Sequence, residues 1–134
     1  MEILQAKHIG FCFGVKRAIN RANEIMNEVQ NTNDIYMLGE IIHNPQVIKE
    51  FQKKGVNIIR KVSQVPPHKY LITRAHGISR DEYEEAIKRN LKLIDTTCPY
   101  VKKIHQFADI LRKEYYQIII FGDAEHPEIK SLLS

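Results

Sequence analysis

At 134 residues the chain has the length of one modest domain, or one and a fraction, enough to bury roughly 68% of its unfolded surface without staples. A composition of 43% hydrophobic and 27% charged residues, with no Trp, is that of a globular protein, and no apolar run approaches the ~20 residues of a membrane helix. The net charge of +4 asks for an anionic partner without choosing between a phosphorylated small molecule and nucleic acid.

The opening MEILQAKHIG lacks the long apolar stretch of a secretory leader, so a cytoplasmic location is expected. In a reducing compartment a structural disulfide is not expected. The two cysteines, Cys12 and Cys98, are far apart and lack CxxC spacing, which excludes a zinc ribbon or a thioredoxin-type pair.

Taken in chain order, ILQA reads as a first strand. From Val15 the apolar positions Val15, Ala18, Ile19, Ala22, Met26 and Val29 recur at helical spacing. DIYML is a second strand ending at Gly39. Pro45 then opens a short helix carrying Val47, Ile48 and Phe51, with Gly55 as its stop. VNII reads as a short strand and Val65–Pro67 as a loop.

YLIT is the next strand, and Ser79 with Glu82 forms a capping box for a helix through Tyr83, Ala86 and Ile87 that closes at Asn90. LKLID follows as a strand. Pro99 starts a helix whose expected buried stripe is Val101, Ile104, Ala108 and Leu111. QIIIF, the most apolar segment, is expected to be a central strand, and DAEHPEIKSLL the start of one more helix. The alternation predicts an α/β fold of repeated β-α units with a mainly parallel sheet. GEIIHNP and GDAEHP share a Gly, an acid and a His four residues past the Gly, an echo that hints at a duplicated unit.

Each of the five strand-to-helix junctions holds one Cys or His: Cys12, His43, His76, Cys98 and His126. In open α/β sheets such junctions line the crevice at the carboxyl ends of the strands, where ligands bind. Singly, each residue has a bland reading, as a small buried hydrophobe, a surface imidazole or a cap; their joint placement is what points to a site. His8, His68 and His105 fall in the first strand, a Pro-rich loop and a helix interior and receive no role. The basic residues Lys16, Arg17, Lys49, Lys53 and Lys54 read as solvated helix faces, with no interleaved aromatics of a nucleic-acid surface.

A helix N-terminus favours the thiolate, which suits a soft metal or an iron–sulfur cluster. Gly10 and Gly14 around Cys12 permit a tight turn and the approach of a bulky group, or are simply turn glycines. The three junction histidines, with Asn44 beside His43, suit a phosphate or diphosphate. Glu128 complements the dipole of the last helix or delivers a proton into the crevice.

GFCFGVKRA, GEIIHNP, RAHGI, DTTCPYV and HPE, in that order, resemble the 4-hydroxy-3-methylbut-2-enyl diphosphate reductase (LytB) family over essentially the whole chain, Met1 to about Ile129. The resemblance implies three α/β modules around a central 4Fe-4S cluster held by three cysteines, and reductive removal of the substrate's hydroxyl to give isopentenyl and dimethylallyl diphosphate in the last step of the non-mevalonate pathway. It further implies that Cys12 and Cys98 ligate the cluster, that His43, His76 and His126 surround the diphosphate, that Glu128 supplies the proton, and that ferredoxin or flavodoxin delivers electrons.

Two features depart from the family pattern. The third cysteine is absent, and KSLLS replaces the Gly-containing segment that usually follows HPE. The expectation is therefore the N-terminal half of such an enzyme, inactive alone: a first module over 1–96 and the beginning of a second over 97–134. No nucleic-acid or membrane partner is expected. Two rivals stay open. One is a non-enzymatic phosphate- or nucleotide-binding module, although GxGxxG and GxxxxGK[ST] are missing; the other is a zinc site of two Cys and two His.

Overall fold

A computed structural model describes residues 2–7 and 9–134; the first-strand placement of His8 lies outside them. Helix α1 spans Phe13–Glu28, followed by strand β1 (Ile35–Leu38), helix α2 (Pro45–Lys53), strand β2 (Asn57–Ile59), strand β3 (Tyr70–Ile72), helix α3 (Arg80–Lys88), strand β4 (Lys92–Ile94), helix α4 (Pro99–Lys113) and helix α5 (Pro127–Leu133). The four strands pair in the order β2-β1-β3-β4, every pair parallel.

The alternation of side chains along each strand builds three layers. Ile35, Met37 and Ile72 face Ala18, Ala22 and Ile25 of α1 and Ile48 and Phe51 of α2. Leu38, Ile59 and Leu71 face Val62, Val65, Ala86 and Leu91 on the other side. At roughly 25 cal/mol per Å² of apolar surface removed from water, these two clusters are the main stabilising term of the chain.

Local signals set the boundaries. Asn44 Oδ1 accepts from the backbone N–H groups of Gln46 and Val47, and Pro45 takes the first helical position of α2, where no N–H is needed. The capping box of α3 is present, with Ser79 Oγ accepting from the Glu82 amide and Glu82 accepting from Ser79 N. Gly55 and Asn90, expected as helix stops, both take positive φ, +93° and +54°.

Two expected strands do not form. ILQA is irregular and exposed, with Ile3 81% accessible. QIIIF is also irregular, and Phe121 is 93% accessible. A strand needs a neighbour to satisfy its N–H and C=O groups, and no described segment pairs with either one. Apolar content reported a burial preference for QIIIF but not a partner. The stripe expected on α4 is likewise uncovered: of its four members only Val101 is buried, and Ile104 is 46% accessible.

Candidate functional site

The order β2-β1-β3-β4 carries a topological switch between β1 and β3: the chain leaves β1 toward β2 and leaves β3 toward β4. The loops that follow these two central strands open a crevice there, and they are GEIIHN and RAHGIS. Gly39 at φ +63° and Gly77 at φ +96° turn the two loops.

Backbone hydrogen bonds stitch the loops to one another. Ala75 N donates to Ile41 O at 3.0 Å, and Cys98 N donates to Ala75 O at 2.9 Å. The buried hydroxyl of Thr96 donates to Thr73 O at 2.7 Å, while Thr96 N donates to Thr73 Oγ1. Arg17 Nη1 donates to Thr97 O at 3.1 Å and ties α1 to the same seam. Arg17 is thus not the solvated residue its helical position predicts; nothing in the sequence singles it out, because its partner is 80 residues away.

His43, His76 and His126 meet on this rim. Their ring centroids lie 4.6 Å (43–76), 5.6 Å (43–126) and 5.3 Å (76–126) apart. They form the single group of three or more potential ligand side chains among the described residues, and neither cysteine belongs to it. A zinc site of two Cys and two His therefore finds no support in the geometry.

His76 is half-buried, and its Nδ1 is buried without a hydrogen-bond partner. Burial first, then the neighbouring His43, His126 and Arg74 charges, hold its pKa down at about 4 instead of 6.5. His126 caps α5, its Nδ1 accepting from Glu128 N at 3.3 Å. In a neutral ring that bond assigns the proton to Nε2, making this atom a donor rather than a metal ligand. Glu40 stands 3.7 Å from His43 Nδ1.

Arg74, two residues before His76, was not anticipated. Its Nη2 donates to both carboxylate oxygens of Glu82, each at 2.9 Å, and the same carboxylate caps α3. A base placed before the His of RAHG is the only sequence signal that could have found it. Asn44, expected as a further donor beside His43, accepts through its Oδ1 to cap α2.

Cys12 and Cys98 are the N-cap residues of α1 and α4, and neither thiol makes a side-chain capping bond. Both are free, Cys12 exposed and Cys98 half-buried. The first turn of α1 lies against Cys98: a Cβ added at Gly14 would stand 2.5 Å from Cys98 Sγ. The glycine is required by the second cysteine rather than by turn geometry. The carboxylate of Glu128, on the first turn of α5, enters no hydrogen bond or ion pair among the described residues.

The family model described as LytB protein matches residues 3–134. The chain belongs to the LytB family. Its relatives include proteins named 4-hydroxy-3-methylbut-2-enyl diphosphate reductase from Caldanaerobacter subterraneus subsp. tengcongensis, 47% identical over 131 residues (96% of this chain, 45% of the relative), and from a Geobacter species, 43% identical over 134 residues (all of this chain, 46% of the relative).

Two solved structures are similar as well. The E-1-hydroxy-2-methyl-but-2-enyl-4-diphosphate reductase of Plasmodium falciparum superposes with TM-score 0.86 at 39% identity, over 92% of this chain and 38% of that one. A second, (E)-4-hydroxy-3-methyl-but-2-enyl diphosphate reductase, described as the terminal enzyme of the non-mevalonate pathway, gives 0.82 at 40% identity, over 98% and 46%. The LytB chain described here spans about half the length of the curated relatives it matches.

Proposed function

We propose that this LytB chain carries the diphosphate-binding wall and two of the cluster ligands of a 4-hydroxy-3-methylbut-2-enyl diphosphate reductase, a cytoplasmic enzyme. The observation that carries the reading is the meeting of three imidazoles at the switch point, one with an unpartnered buried nitrogen and one whose free nitrogen is a donor. That set matches an anion with several acceptor oxygens. The orphaned Nδ1 of His76 gains a partner when a phosphate oxygen arrives.

The fit to an iron–sulfur cluster rests on the donor set. Two unpaired soft sulfurs belong to the N-cap residues of two helices, and the missing side chain at Gly14 gives Cys98 its place. Cys12 and Cys98 would hold two corners of a 4Fe-4S cluster, and the chain's two cysteines leave the third ligand unfilled. When bound, such a cluster would supply the reducing electrons, drawn from a small carrier such as ferredoxin or flavodoxin. The reaction balances as the hydroxylated diphosphate plus two electrons and two protons giving the alkenyl diphosphate plus water. In this reading His43, His76 and His126 anchor the diphosphate, and Glu128 releases a proton to the departing hydroxyl. We further propose that residues 1–96 form one module and that 97–134 begin a second.

Calorimetry with inorganic pyrophosphate tests the anion wall. His43→Asn, His76→Asn and His126→Asn are each expected to weaken binding about tenfold, one charge-assisted hydrogen bond apiece; unchanged affinity in all three sinks the proposal. Anaerobic reconstitution tests the cluster ligands. The chain alone is expected to fall short of about four irons per monomer, and a stable, fully loaded, active monomer refutes that expectation.

A further inference from the structure

Helix α5 presents His126 to the cluster of rings, yet its seven residues bury little apolar surface, and Leu133 is exposed. Polar contacts hold it instead: Arg80 N donates to the hydroxyl of Ser134, the C-cap of α5, at 3.0 Å, and Ser131 makes the buried one. Ser131 is 5% accessible, and its hydroxyl lies 3.0 Å from Nε2 of His105 on α4. A helical serine commonly turns its hydroxyl to the carbonyl four residues back; this one crosses to another helix.

The same hydroxyl sits over Gly77 of the RAHG loop, where an added Cβ would stand 2.6 Å from Ser131 Oγ and 3.5 Å from its Cβ. Three elements thus close on one atom: α4 through His105, α5 through Ser131, and the loop of His76 through Gly77. Ser131 lies in this short helix and His126 is its N-cap, bonded to its first turn through Glu128 N, so the seat of the first fixes the place of the second.

We propose that the His105–Ser131 hydrogen bond, closed over Gly77, is a latch that seats α5 and thereby holds His126 against His76. His105, Ser131 and Gly77 are positioning residues. They touch none of the three rings by any contact described above, and the latch stands whether or not the rings take a diphosphate.

The readout is the His76 ring itself. The groups that face it are His43, His126 and Arg74, and with burial they keep its pKa at about 4. Unlatching α5 removes part of that burial and moves His126 away, so His76 should titrate upward, toward 6.5. Ring ¹H–¹⁵N spectra of the full chain, recorded against pH, follow this directly, with far-UV circular dichroism as the check on fold.

Ser131→Ala and His105→Phe are expected to raise the His76 midpoint by about one unit or more. His105→Gln, whose amide nitrogen can reach the hydroxyl, is expected to restore it. Should His105→Phe unfold, Ser131→Ala, which deletes a single oxygen, decides. A folded Ser131→Ala chain with an unchanged His76 midpoint overturns the latch, as does His105→Gln titrating like His105→Phe. Loss of fold in Ser131→Ala overturns it too, because the hydroxyl would then be supporting the core and not the seating of α5.

Discussion

The four-stranded sheet with its helices and the segment from α4 to α5 carry similar sequence patterns and end in opposite circumstances. In the first, the apolar stripes of α1 and α2 lie under Ile35, Met37 and Ile72 and are buried or partly buried. In the second, α4 buries Val101 alone among its apolar stripe, leaves Phe107 65% accessible, and is followed by an apolar run in which Ile119 is 71% accessible. Helical period reports which face of a segment is apolar. It says nothing about what stands opposite that face, which depends on partners elsewhere in the fold.

The largest effect expected from this contrast is on stability. Leu71→Ala, in a fully buried position between β1 and β4, should cost about 2–5 kcal/mol by urea denaturation. Phe107→Ala removes a larger side chain from an exposed face and should stay within about 0.5 kcal/mol. If the two costs prove comparable, the α4 face is covered in solution, and the contrast between the regions disappears.

The same contrast explains what could be read in advance. The capping box at Ser79 and the stops at Gly55 and Asn90 are local, and each appears where the sequence puts it, as do the four strands β1 to β4, while the expected strands ILQA and QIIIF do not form. The convergence of His43, His76 and His126 followed from their places at element junctions, although β1 and β3 alone lead into two of them; His126 is reached without a preceding strand. What escaped is what depends on pairing over long separations: the absent partners of ILQA and QIIIF, Arg17 reaching Thr97, and His105 reaching Ser131. The echo between GEIIHNP and GDAEHP survives only as a Pro at the first helical position after each His, since a strand precedes the first copy and irregular chain the second.

A smaller effect is expected where the two regions touch at Gly14. Ala there improves helix propensity by about 1 kcal/mol, but its Cβ would fall 2.5 Å from Cys98 Sγ. Rotation of the cysteine about χ1 relieves the clash at a cost of about 1 kcal/mol, so net stability should barely change while the sulfur moves. The measurement is the alkylation rate of Cys98 by mass spectrometry. An altered rate with unchanged stability confirms that Gly14 places the thiol, and an unaltered rate shows that the sulfur does not depend on it.

A further effect is expected at the seam between His76 and His126, and its sign is fixed by linkage. His76 binds its proton at about pH 4 in the folded chain against 6.5 when free. Between those values the unfolded state holds more protons, so stability rises with pH through the window, is complete above 6.5, and is lost as the pH falls toward 4. Because the ring is only half-buried, solvent screening limits the contribution to about 1–2 kcal/mol. On the proposed reading a bound diphosphate would reverse the preference: its charge favours the protonated ring, so binding should take up a proton and affinity should fall as pH rises toward the midpoint of the bound state. Pyrophosphate calorimetry in buffers of different ionisation enthalpy counts that proton. His76→Asn should abolish the uptake, and uptake that persists in the variant would move the titrating group to His43 or His126, on either side of the seam.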